Sequence, residues 1–376
     1  MTSIETAIQI DLASGILTFD TEAADLHNLV EQGYTAAIKD KWNILLERLR
    51  EVHPAKYENW QDKISLLSTD GFHPSFLKPE FTDKLMNYKP KYFDWVINML
   101  DGYLDAEIAK VTGKFDINKY KQLWTCNGDF LLTYDPGTQT FHSFNSFMFS
   151  DRTFMDFFSP ACFDDNNKED IGREPNVTVG PFEIDEAIGI GELMMESISP
   201  LDDQFSAPLQ LIDRCTDVIV MKKYSGDEYF YSSSNGAYIG TSYLVNPHVA
   251  NAEMIINALV HEATHSLILA IDVCDQWMPG HNDPRAEQRI ASHWTGRPLP
   301  IRSYLQAQFV WFGLYNFWKH AVDKKIYNQL YAAERLTYIS NGFRKMQPSV
   351  LEEIGIDAKA VETIRLMQQQ VLQHAG

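Results

Sequence analysis

The amino-acid sequence predicts an α+β protein that is mostly helical, with a small antiparallel sheet and a zincin-like HExxH helix. Three observations predict it. Residues from about 20 to 112 keep apolar side chains at helical spacing. Residues 123–149 and 217–247 switch to aromatic, Thr- and Ser-rich runs broken by turn residues. Residues 251–273 then return to a long apolar helix. A length of 376 residues suits one large domain or two ordinary ones. The change in pattern divides the chain into a helical N-terminal region, 1–122, and a second domain with C-terminal helices, 123–376, which holds the motif described below.

Each element has its own signal. Trp42, Ile44, Leu45, Leu46, Leu49 and Val52 recur among charges, as do Phe93, Val96, Leu100, Leu104 and Ile108. Pro54, Pro74, Pro79 and Pro90 punctuate these helices. In 123–149, Asp135-Pro136-Gly137 reads as a turn between strands, and 163–181 as a polar surface loop. Residues 218–221 form a short apolar run. Residues 229–234 and 237–245 flank Asn235-Gly236, which predicts a two-residue hairpin, because a type I′ turn needs positive φ at both central positions. Asn251 is placed to cap the next helix, with Glu253 in its first turn. That helix is apolar on nearly every side and should be buried. Residues 277–297 read as a loop, 301–324 as an aromatic helix behind Pro298 and Pro300, and the tail after Pro348 as two short amphipathic helices.

Composition narrows the function. A net charge of -19 excludes non-specific nucleic-acid binding, which needs a basic footprint, and favours a basic partner or substrate. Cys126, Cys162, Cys215 and Cys274 are far apart with no CxxC pair, so a zinc ribbon or thioredoxin-type site is excluded and reduced, buried thiols are expected. The N-terminus lacks the basic region of a secretory signal, and no run approaches the ~18 uninterrupted apolar residues of a membrane span. The expectation is a soluble cytoplasmic protein without a membrane or nucleic-acid partner.

The chemistry concentrates at His261-Glu262-Ala263-Thr264-His265, an HExxH motif. Histidines at i and i+4 lie one turn apart on one helix face, so both imidazoles can reach one metal ion at ~2.1 Å. Glu262 sits to one side, where it can hold a water and act as a base without being a ligand. Burying such groups in an otherwise apolar helix would be unfavourable unless something paired with them. A third ligand is normally needed. The metzincin continuation demands Gly at 268 and His at 271, where this chain has Ile268 and Ile271. The gluzincin pattern points to Glu287, but Ala291 stands where its acidic companion would be. His281, His293 and Gln306 are the other candidates. On the 301–324 helix, Arg302, Gln306, Phe309 or Val310, Gly313, Phe317 and His320 share one face. Gly313 there predicts the close approach of another helix or of a ligand, since glycine costs about 1 kcal/mol in a helix. Arg302 would suit a carboxylate, from a ligand or from a neighbouring acid.

The stretch 229–319 resembles bacterial HExxH-type peptide modification proteins. The matching elements are SSSNGAYIGTSYLVNP, LVHEATHSLI, and SHWTGRPLP followed by YLQAQFVWFGLYNFW. The resemblance covers about a quarter of the chain. It implies an iron(II)- and 2-oxoglutarate-dependent oxygenase that hydroxylates the β-carbon of a residue in a ribosomally made precursor peptide, as in RiPP biosynthesis. Where the family pattern has a histidine after the Arg-Pro element, this chain has Gln306, in Leu305-Gln306-Ala307. The expected metal ligands are therefore His261, His265 and Gln306, with His293 or Glu287 as alternatives for the third. Arg302 and Arg297 are the candidates for binding 2-oxoglutarate, and Glu262 for a catalytic role. A zinc peptidase with Glu262 as general base is the main alternative, and a non-catalytic peptide-binding module the second.

Overall fold

The structure, a computed structural model, describes residues 9–20, 23–69, 71–87, 89–116, 118–126, 128–135, 137–138, 140–163, 178–201, 205–225, 229–234, 236–280 and 282–374. In chain order, the helices α1 (Asp11–Ile16), α2 (Ala23–Val52), α3 (Pro54–Leu67), α4 (Pro79–Asn87) and α5 (Phe93–Thr112) come first. Strands β1 (Gln122–Trp124), β2 (Phe130–Asp135), β3 (Thr140–Asn145), β4 (Phe147–Met148), β5 (Phe154–Asp156) and β6 (Thr178–Gly180) follow. Next are α6 (Ile184–Ile198), α7 (Ala207–Cys215), β7 (Val218–Ser225), β8 (Tyr231–Ser233), β9 (Thr241–Val245) and α8 (Ala252–Asp275). The chain continues through β10 (Arg289–Ala291), β11 (Pro298–Pro300), α9 (Ile301–Asp323), α10 (Gln329–Lys345), α11 (Ser349–Ile354) and α12 (Ala358–His374). The class is α+β, and the described residues divide into two compact units.

One unit takes segments 35–195 and 216–250. The residue read as a boundary, 122, falls inside it, where α5 packs on β1. Its helices close on an aromatic core in which Trp42 meets Trp60, Phe76 and Phe81 with ring centroids 4.6–5.8 Å apart. The helical spacing decides this burial: Trp42, Leu45 and Leu49 face inward, whereas Ile44 and Val52 face solvent. The three-stranded sheet β1-β2-β3 is antiparallel, with Asp135 opposite Thr140; Pro136 of the expected turn lies outside the described residues.

The larger sheet differs from the antiparallel expectation. Its order is β4-β5-β7-β9-β8, with β6 also on β7, and β7 runs parallel to both β5 and β9. The reason lies in Val218-Ile219-Val220-Met221, which is buried on both faces. An uninterrupted apolar run is the pattern of a central, parallel-paired strand. The hairpin is also longer than read. Tyr231 and Ser233 do pair antiparallel with Val245 and Tyr243, but residues 234–240 connect them. Asn235 lies outside the described residues. The positive φ (94°) belongs to Gly240 rather than Gly236, and glycine is needed there twice over, since an added Cβ would also meet the Asp217 carboxylate at 2.7 Å.

The second unit gathers segments 1–34, 196–215 and 251–376. Here α8 packs against α7 and α9, and α9 against α1, α10 and α12. Asn251 caps α8 as predicted, accepting from the Met254 N–H at 2.9 Å. Among the described residues α8 is the one helix long and apolar enough to cross a membrane, but it is mostly buried as the core helix of this unit. The supposed loop 277–297 contains a strand: β10 pairs with β11 in an antiparallel ribbon, Arg289 opposite Pro300. Prolines fit there because a two-stranded ribbon has open edges that need no donor. The four cysteines are free thiols.

Candidate metal centre

From Ala258 to Leu269, every residue of α8 is buried except His261 and His265. The apolar residues that bury the helix thus leave openings only at the two imidazoles. Their ring centroids are 5.0 Å apart. Glu262 is almost completely buried, with Oε1 4.0 Å from His261 Nε2. One ligand atom from each of His261, Glu262 and His265 lies within 4.8 Å of the others. Two nitrogens each ~2.1 Å from one ion at tetrahedral or octahedral angles are about 3.0–3.4 Å apart, so side-chain shifts on the order of 1 Å would let this donor set close on a metal. Among the described residues no further His, Cys, Asp or Glu joins the group. Desolvation by the apolar residues around it, ahead of the opposing Glu262 charge and the nearby His265 and Arg335, holds the partly exposed His261 imidazole down at about 4. It is therefore neutral, as a ligand must be.

Helix α9 supplies the support. Gln306 Oε1 lies 2.8 Å from His265 Nδ1. An amide oxygen only accepts, so Nδ1 carries the proton and Nε2 is left free for a metal. The amide oxygen expected as a third ligand is thus directed at the far side of His265, while its amide nitrogen faces Met278 Sδ at 4.0 Å. Gly313 brings α9 close to the motif: an added Cβ would meet Leu17 at 2.9 Å and Thr264 Oγ1 at 3.3 Å. Trp318 Nε1 donates to Asn257 Oδ1 at 3.0 Å, fixing the register of the two helices.

The other predicted residues stand apart from the histidine pair. Arg302 donates to Asp272 Oδ2 at 2.8 Å and to the Pro279 carbonyl at 2.9 Å. Asp272 is seven residues past His265, or about 10 Å along the helix. Arg302 lines a cavity of about 580 Å³ with Asp272, Trp277, Met278 and Arg285. Arg297 is exposed in the turn between β10 and β11. His293 bonds the Tyr304 hydroxyl at 2.9 Å, and Glu287 is exposed in a short 3-10 turn. His281 lies outside the described residues.

A wall of the site comes from residues given no role in the sequence reading, although Trp294 and Trp311 lie in the stretches that carry the resemblance. Trp311 meets His261 edge-on, centroids 6.3 Å apart, and stacks on Trp294 at 5.4 Å. Trp294 is locked onto α10: its indole N–H donates to the Ile339 carbonyl at 3.0 Å, its carbonyl accepts from Tyr338, and it lies against Gly342, where any Cβ would clash at 2.0 Å. Arg335 of α10 packs over Trp311 and Tyr338. The Asn328 cap, which accepts from Leu330 and Tyr331, was the available signal for α10. Compared with known protein families and with curated proteins, the chain matches none.

Proposed function

We propose that the protein is an iron(II)- and 2-oxoglutarate-dependent oxygenase that hydroxylates a side-chain β-carbon of a ribosomally made precursor peptide. The observation that carries this reading is the sparse donor set, two imidazoles and one adjacent carboxylate, beside a wall of aromatic residues and a cation. Such a set suits a metal that must also accept a bidentate 2-oxo acid and O₂. Iron(II), when bound, would supply the oxidative chemistry. His261 and His265 would hold it, Gln306 would orient His265, and Glu262 would complete the donor set or position the peptide. The four free thiols suit a cytoplasmic setting.

A zinc peptidase is the second reading. It is favoured by the buried Glu262 carboxylate 4.0 Å from His261 Nε2, where a base could activate water. One experiment separates the two. With iron(II), 2-oxoglutarate and O₂, a panel of peptides should gain the mass of one oxygen atom and stay uncleaved. Glu262→Gln should keep metal and 2-oxoglutarate binding in an oxygenase, whereas a peptidase should lose nearly all hydrolysis. Cleavage by the zinc form, with no oxidation in the iron form, would replace the oxygenase by the peptidase.

A further inference from the structure

We propose that Arg335 is the carboxylate-binding residue of this centre, receiving a carboxylate of a molecule that reacts beside His261 and His265. The inference rests on the reading of the histidine pair as a metal site. Arg335 stands one aromatic ring from His261: its guanidinium carbon is 5.7 Å from the Trp311 ring centroid, and Trp311 meets His261 edge-on. Tyr338 lies under the same guanidinium at 5.5 Å. The two rings hold the fork in place by cation–π attraction but satisfy none of its N–H groups in their plane.

The other partly buried arginines around this unit are committed. Arg302 faces Asp272, Arg285 faces Asp283, and Arg365 faces Glu352. Among the described residues no carboxylate pairs with Arg335, and its Nε is buried without an acceptor. A buried guanidinium N–H without an acceptor is unfavourable, and the fork is shaped for two carboxylate oxygens. Neither Arg302, held by Asp272, nor the exposed Arg297 combines such proximity with an open fork.

The carboxylate could belong to a 2-oxo dicarboxylic acid or to an acidic peptide. Metal content of wild type and Arg335→Gln is measured first. Anaerobic binding of 2-oxoglutarate and of 2-oxobutanoate, which lacks the second carboxylate, is then titrated by calorimetry into the metal-loaded protein. We expect equal metal loading. We also expect wild type to prefer 2-oxoglutarate, and Arg335→Gln to weaken that ligand about ten- to a hundredfold while leaving 2-oxobutanoate unchanged. Arg335→Lys, which keeps the charge and the stem without the fork, should fall between. If the two acids respond alike but acidic peptides lose affinity relative to their amide forms, the carboxylate is the peptide's and the proposal stands. If Arg335→Gln folds and binds every ligand as wild type does, the proposal is overturned. Absence of metal from wild type would overturn the underlying reading of the histidine pair instead.

Discussion

Replacing Gln306 by Leu probes how the centre is built. The change keeps the size of the side chain and removes the acceptor 2.8 Å from His265 Nδ1. Two effects follow. Without metal, an imidazole N–H loses its partner, which costs about 1–3 kcal/mol when the group is sealed from water. His265 is only half-buried and Leu adds apolar contact near Met278, so about 1 kcal/mol is expected. With metal, the imidazole is no longer held with Nε2 free. Loss of such an orienting partner weakens metal binding about ten- to a hundredfold, or ~1.4–2.7 kcal/mol. Chelator competition near neutral pH gives the second quantity, and denaturant unfolding of the metal-free protein the first. Gln306→Glu, which retains an acceptor, should restore affinity. An affinity within twofold of wild type would refute the orienting role. Complete loss of metal, equal to that of His265→Ala, would show that Gln306 is itself a ligand.

Gly313→Ala should destabilise the protein. The helix gains about 1 kcal/mol from propensity, but overpacking costs roughly 1–3 kcal/mol, because Leu17 is fully buried and Thr264 Oγ1 is held by the Val260 carbonyl. Calorimetric unfolding should show a net loss of up to ~2 kcal/mol, and a stabilised variant would contradict the close approach. His27, 4% exposed, is held down at about 4, first by burial and then by Arg214. Its folded pKa is below its unfolded value, so the unfolded chain binds the extra proton as pH falls from 6.5 toward 4, and stability is lost across that window. The contribution is at most on the order of 3 kcal/mol. Denaturant titrations at pH 7 and pH 4.5 should show a shallower decline for His27→Gln, and parallel declines would contradict it.

What was legible in sequence was local. The cap and apolar periodicity placed α8 and α9, the i, i+4 spacing placed two imidazoles side by side, and Gly313 marked the approach to Thr264. What was not legible depends on partners far along the chain. Arg302 reads equally as a partner for a ligand carboxylate or for a neighbouring acid until Asp272, thirty residues earlier, is seen against it. Trp294 reads as part of a loop until it is found stacked on Trp311 and seated on Gly342. Arg335 carries no motif, and only the packing of α10 on α9 brings it toward His261. The parallel pairing of β7 is likewise a non-local choice that no hairpin signal encodes.

The metal centre itself is tested most directly by elemental analysis of protein loaded with iron(II) under anaerobic conditions and freed of excess metal. The account predicts one ion per chain in wild type. His261→Ala combined with His265→Ala should leave a soluble, folded protein that retains none. One ion per chain still bound in the double variant would contradict the assignment of these histidines.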